Sequence, residues 1–353
     1  MELLFRTSVY PLNIGARHPV PLRVISPFLQ SRMAAGNNSL ETAVKSICAE
    51  NLGLGPEETL LVVADPHCYQ LAGRIVDTAR KLGFACGLLQ LGPVEKAGAA
   101  PEEFTPEALA CYPAALLVTS RSLSHTETRR RACHTDGVRM ASMPGVTEDM
   151  LLRLFTPGAA EAISRSTRRL AGRLEGAGRV RVRTASGTNL EFSLKGRKIY
   201  LDTGVYRDPG AFGNLPAGEL SAAPVAASAR GKVVVDVAFA GLGAVENLAL
   251  EIESGSLVAA HGPRSRDLLG LLSGPAERVL GEFGIGTNPL AKPCAITLEA
   301  EKAVGTVHFG FGDNRSFGGE NFSQGHWDAV VRCDQIEVDG KLLKPGESLG
   351  LQE

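Results

Sequence analysis

Short runs dominated by apolar residues, at 59–65, 85–91 and 114–120, punctuate the first half of the chain. A strand buried on both faces has no polar side to show, so such runs predict strands inside a covered sheet. Residues 70–82, between the first two runs, read as helix. Strand–helix–strand order at this interval predicts a parallel sheet with helices over it. Residues 39–51 precede the first strand as a helix, with Asn38 or Ser39 as its cap and Glu41 in its first turn.

The texture changes near Thr147. Residues 147–155 predict one helix, capped by Thr147 with Glu148 and Asp149 in the first turn, and residues 159–174 predict a second. Beyond Gly178 come short strands at 180–184, 189–194, 232–239, 248–252 and 256–260, several separated by turn pairs such as Ser186-Gly187 and Ser254-Gly255. A helix from 265 to about 272, extending toward 282, interrupts them. The pattern predicts an α/β N-terminal domain with a parallel sheet over residues 33–160. An α+β C-terminal domain over 161–353 follows it.

Residues 1–32 fit neither domain. Arg6, Arg17 and Arg23 interrupt weak apolar runs, and Pro11, Pro19, Pro21 and Pro27 break any helix, so the stretch reads as an extension or a mis-assigned start before Met33. It lacks the continuous apolar segment of a secretory signal. The 353 residues suit two domains of ordinary size, with 44% hydrophobic and 21% charged residues, as soluble globular chains have. Basic and acidic residues balance at 37 against 38, which argues against nucleic acid or an anionic membrane as the main partner. No apolar run is long enough to span a bilayer. Seven cysteines, scattered and free of CxxC spacing, fit free thiols in a reducing cytoplasm.

Candidate chemistry concentrates near the C-terminus. His308 lies in GTVHFGFG (305–312), and His326 and Asp328 close SQGHWD (323–328) after a glycine-rich turn. Residues two apart on a strand point to one face, so His326 and Asp328 present an imidazole and a carboxylate side by side, with His308 on the neighbouring strand. Such a convergence suits a divalent transition metal. Trp327, between them, points to the opposite face as a packing residue. Glu219 in GNLPAGE and Glu282 in GEFGIGTN are candidates to join the cluster, because a carboxylate buried in such charge-poor turns requires a partner. His125 is a weaker candidate for the cleft between domains, with capping or packing as the competing role. His67 and Cys68 read as a βα loop, and His18, His134 and His261 as surface residues.

Four ordered motifs, NLPAGEL, GEFGIGTN, EKAVGTVHFGFG and SQGHWD, resemble the metallo-aminopeptidases of the aminopeptidase T, aminopeptidase S and aminopeptidase II type. SLSHT (122–126) and ASMPGVT (141–147) resemble that family's N-terminal domain, so the likeness covers nearly everything after Met33. It implies two divalent metals (Zn, Co or Mn) between the domains, held by Glu219 as a terminal ligand, Glu282 as a bridge, and His308, His326 and Asp328. It also implies a homodimer formed mainly through C-terminal domains. The expected activity is release of N-terminal residues from small peptides by a metal-activated water. One departure stands out: Arg315 takes the place of the tyrosine that follows the family's first histidine by about seven residues. Arg315 and Lys302 are then candidates for holding a substrate carboxylate. The departure brings the chain toward a sister branch resembling 2,5-dihydroxypyridine 5,6-dioxygenase, which uses one non-heme Fe(II). Two histidines and a carboxylate suit that ion as well.

Overall fold

The computed structural model describes residues 39–333 and 335–344, so the expectation for residues 1–32 lies outside the described residues. The chain opens with helix α1 (Leu40–Ser46), prolonged by a wider turn at Ile47–Asn51, and Ser39 caps it by accepting the Thr42 amide at 3.2 Å. Strand β1 (Thr59–Ala64), helix α2 (Tyr69–Lys81), β2 (Ala85–Gln90), α3 (Pro106–Ala110), β3 (Ala114–Val118), α4 (Glu127–His134) and β4 (Arg139–Ser142) follow. They build a parallel sheet in the order β2-β1-β3-β4. Every residue of β3 is buried, as its unbroken apolar run requires. Helix α2 buries Ala72, Ile75, Val76 and Ala79, spaced three and four apart, against one side of the sheet. At about 1.5–3 kcal/mol for each large aliphatic side chain, this burial outweighs any local propensity.

The polar pattern hides two of these elements. Helix α4 (ETRRRACH) has no apolar stripe, but Thr126 caps it through the Arg129 amide at 3.3 Å. Strand β4 is only four residues long and gains its order from pairing with β3.

Helices α5 (Glu148–Leu154) and α6 (Ala159–Leu174) lead into the second half. Thr147 caps α5 through the Met150 amide at 3.3 Å. Next come β5 (Arg179–Arg183), β6 (Asn189–Ser193), β7 (Tyr200–Asp202), β8 (Phe212–Asn214), β9 (Glu219–Ala222) and β10 (Arg230–Val235). Then come β11 (Ala238–Phe239), β12 (Gly243–Ala244), β13 (Leu248–Glu253), β14 (Ser256–His261) and α7 (Ser265–Leu271). The chain continues through β15 (Leu280–Gly286), α8 (Thr297–Ala300), β16 (Thr306–Gly312), β17 (His326–Arg332), β18 (Ile336–Val338) and β19 (Lys341–Leu343). Two seven-stranded sheets result, β14-β13-β10-β6-β5-β18-β19 and β12-β11-β17-β16-β15-β9-β7. Their inner faces share one core, in which Phe192 of the first meets Phe283 of the second at 4.8 Å between ring centroids. A parallel α/β sheet followed by antiparallel sheets is the broad class the pattern predicts.

Two particulars depart from it. The helix expected to run toward residue 282 stops at Leu271, ahead of Gly274 and Pro275, and Glu282 lies on strand β15. Strand β8, well past residue 160, returns to the parallel sheet and pairs with β4, Ala141 opposite Gly213. The first sheet is therefore completed by the second half of the chain.

Candidate metal centre

Alternation along three neighbouring strands builds the site. Phe283 and Ile285 of β15, Val307, Phe309 and Phe311 of β16, and Ala329 and Val331 of β17 enter the sandwich core. Their neighbours, Glu282, His308, His326 and Asp328, therefore face the other way. Pairing sets their height: Gly310 lies opposite Asp328, Gly312 opposite His326 and Gly284 opposite His308. The glycines are a spatial requirement. A Cβ on Gly284 would overlap the His308 ring, and one on Gly310 would overlap the His326 ring. GEFGIG and HFGFG thus alternate core residues with ligands or with the space that ligands need.

The polar groups converge closely. His326 Nε2 lies 2.8 Å from Glu282 and 3.1 Å from Asp328, and its Nδ1 donates to the Asp313 carbonyl at 2.8 Å. His308 Nε2 lies 3.5 Å from Glu219 and 3.6 Å from Glu282. Glu282, His308 and Asp328 each offer an atom within 4.8 Å of the other two. Burial opposes charge on each group, yet the carboxylates around His308 raise it to about 9, and those around His326 raise it well above the usual imidazole range. Conversely, the imidazoles hold Glu282 and Asp328 below the ordinary carboxylate range despite burial. The carboxylates thus draw positive charge into the cluster. Glu219 Oε2, buried and without a hydrogen-bond donor, is a further acceptor facing this space. Two nitrogen and two or three oxygen donors fit a divalent transition ion.

Lys302 lies in the wall of the site and not at its mouth. Its side chain is fully buried, with Nζ 2.5 Å from Glu219 and 2.8 Å from Glu301. Behind it, Asp202 lies 4.0 Å away and accepts from Tyr206. Burial lifts the Glu301 carboxyl to about 8 and that of Asp202 to about 6, against the pull of Lys302. The expectation that Lys302 holds a substrate carboxylate gains no support from this position, since its side chain has no exposed surface and lies against two carboxylates of the protein itself. Arg315 is exposed, but its guanidinium is engaged: it pairs with Asp313 at 2.7 Å and lies 4.3 Å over the Phe322 ring. Trp327 packs on the core face.

The first domain contributes His125. The loop carrying it leaves the carboxyl end of β3, where ligands of parallel sheets commonly bind. Asp65, buried at the end of β1, anchors that loop by accepting from the Ser120 amide at 3.0 Å and from its hydroxyl. The His125 ring centroid lies 6.3 Å from that of His326, and its outer side is open to solvent. Surrounding protein, His326 and Arg129 push its pKa down to about 4, so it is neutral at pH 7. Thr126, and not His125, is the helix cap. The strand-end position was the available signal for His125. Phe317, which sequence reading passed over, lies 5.3 Å from the His326 ring. Asp202 and Glu301 were also missed, for nothing in their local sequence announces burial.

A parallel α/β sheet joined to an antiparallel sandwich, with a His/carboxylate cluster suited to a divalent ion, is the arrangement to set beside known proteins. Residues 92–347, well over half of the chain, match the family of 2,5-dihydroxypyridine 5,6-dioxygenase, and the chain belongs to that family. The fold matches that of 2,5-dihydroxypyridine dioxygenase from Pseudomonas putida KT2440, with a TM-score of 0.71 at 18% identity over 88% of this chain and 96% of that one. It also matches wild-type AmpT from Thermus thermophilus, with a TM-score of 0.62 at 18% identity over 87% and 98%. No curated protein sequence matches the chain. The aminopeptidase resemblance thus holds at the level of fold, while the family is the dioxygenase branch. Among the described residues no helix is long and apolar enough to cross a membrane.

Proposed function

We propose that the protein is an Fe(II)-dependent dioxygenase that opens a hydroxylated pyridine or closely related ring, using both atoms of dioxygen. Family membership supports the reaction class. The observation that carries the metal count is the Lys302 ammonium on Glu219: it engages one oxygen of that carboxylate, while Glu282, His308 and Asp328 bring ligand atoms within 4.8 Å of one another, which favours a single ion. When bound, Fe(II) would supply the one-electron chemistry that lets dioxygen react with the ring. His308, His326 and Asp328 would hold it, and Glu282, between both imidazoles, keeps their rings oriented and lends negative charge. The Asp313 carbonyl, by accepting from Nδ1, leaves His326 Nε2 as the nitrogen that would ligate. His125, solvent-accessible and beside His326, is positioned to hydrogen-bond a ring hydroxyl through an imidazole nitrogen.

A metallo-aminopeptidase is the second reading. It is favoured by the unbonded Glu219 Oε2, which lies on the side facing His308 and would complete a five-ligand, two-metal set. Elemental analysis of protein purified without chelator, paired with oxygen uptake, separates the two. One iron per chain and oxygen consumption with 2,5-dihydroxypyridine are expected. Two zinc, cobalt or manganese ions per chain, with release of leucine from leucyl-peptides, would establish the hydrolytic reading instead.

A further inference from the structure

We infer that Phe317 is the aromatic wall on which the planar ring of the substrate lies, and so a residue that selects rings over aliphatic substrates. This inference rests on the ring-cleaving reading and specifies its substrate-binding surface.

Phe317 is out of place as a packing residue. It belongs to none of the apolar cores, and it sits in an otherwise polar turn, DNRSFGGEN (313–321). The turn nevertheless holds it firmly. The Phe317 amide donates to the Asn314 carbonyl at 3.0 Å, and Asn314 Oδ1 accepts the Asn321 amide at 2.8 Å across the base of the turn. Gly318, at φ 79°, allows the reversal that directs the aromatic side chain, a conformation costly for any residue with a Cβ. Arg197 clamps the same point by donating to the Gly318 carbonyl at 2.8 Å.

The ring so fixed lies beside the His326 imidazole, at 5.3 Å and a tilt of 40°. Tyr200 stands against it in a T-shaped contact at 6.5 Å and 90°. Its remaining surface is open to solvent, since the residue is only half-buried. A pinned aromatic that stabilises no core, next to a ligand imidazole and partly bare, has its apolar surface available for a bound ring. The His125 imidazole, also near His326, supplies a second planar group from the other domain. Offset or tilted contact between two aromatic rings adds about 0.5–1.5 kcal/mol beyond burial, equal to about two- to thirteenfold in affinity. An aliphatic side chain of similar volume keeps the burial and loses that part. A peptide substrate with an aliphatic first residue would gain nothing specific from such a wall.

The test uses the Fe(II)-loaded full chain with 2,5-dihydroxypyridine as probe. Binding is titrated without oxygen, and turnover is followed by oxygen uptake. Phe317→Leu is expected to raise Kd and KM about three- to tenfold, more than it changes kcat, with iron content and melting temperature at wild-type values. Phe317→Tyr is expected to restore tight binding. Unchanged Kd in Phe317→Leu would overturn the inference while leaving the dioxygenase reading intact. Loss of iron from Phe317→Leu would also overturn it, by showing that the ring serves only to hold His326. Wild-type protein that binds the probe, is weakened by Phe317→Leu and consumes no oxygen would sustain the wall and sink the proposed reaction. Wild-type protein that binds no probe would overturn both.

Discussion

At the scale of single residues, the site depends on side chains that are absent as much as on those present. Gly284 and Gly310 leave room for the two imidazoles, so Gly284→Ala should displace His308 while the strand itself persists. We expect metal affinity to fall about ten- to a hundredfold, measured by competition with a chromogenic chelator, with little change in far-UV circular dichroism. Lys302 is the reverse case, a charge that must be there. Lys302→Met would leave the Glu219 carboxylate buried without its ammonium partner, and a loss of about 3–5 kcal/mol in urea unfolding at pH 7 is expected. The imidazoles set a pH dependence as well. His308, raised to about 9 in the folded metal-free protein against an ordinary 6.5, binds more protons folded than unfolded between those values. Its stabilisation is complete below pH 6.5 and is lost as pH rises through 9, so the melting temperature of chelator-treated protein should decline over that window. Metal binding displaces the same protons and should tighten as pH rises. His326 and Asp328 were legible because strand alternation puts them side by side, and His308 because a glycine-rich turn sets its strand next to theirs. The burial of Lys302 was missed because a lysine in sequence reads as solvated, and only the fold surrounds it with carboxylates.

At the scale of elements, the three-strand ladder and the β3 loop place the chemistry. Period-two alternation in β16 and β17 was visible in HFGFG and HWD, whereas Glu282 seemed to end a helix because GEFGIG holds few β-branched residues. Its strand state comes from pairing with β9 and β16, a long-range cause that no local window contains. The short β4 and the stripe-free α4 escaped notice for the same reason. The loop between β3 and α4 owes its shape to Asp65, which gathers the Ser120 amide and hydroxyl from a neighbouring strand end. Asp65→Ala leaves those donors without an acceptor and should cost about 1–3 kcal/mol. Hydrogen exchange should accelerate in residues 119–126 before it does in β1 or β3, and global acceleration with no local excess would contradict an anchoring role.

At the scale of the whole molecule, the two halves are joined by more than proximity. Arg153 of α5 grips buried Glu299 of the second half through two hydrogen bonds, at 2.8 and 3.0 Å. The Asn51 amide group donates to the Gly204 carbonyl at 2.6 Å. Strand β8 goes further, because it lends the first sheet an edge that the first half does not encode. On the ribosome this sets a schedule. When residue 160 emerges, β4 still shows a bare row of amides and carbonyls, and it stays so until residues 212–214 have been made. The nascent first half must therefore wait, unsealed, for more than fifty further residues of synthesis. A polypeptide ending at residue 160 should then self-associate in sedimentation velocity, and one extended to residue 216 should do so much less. Equal behaviour of the two would show that β4 needs no cover.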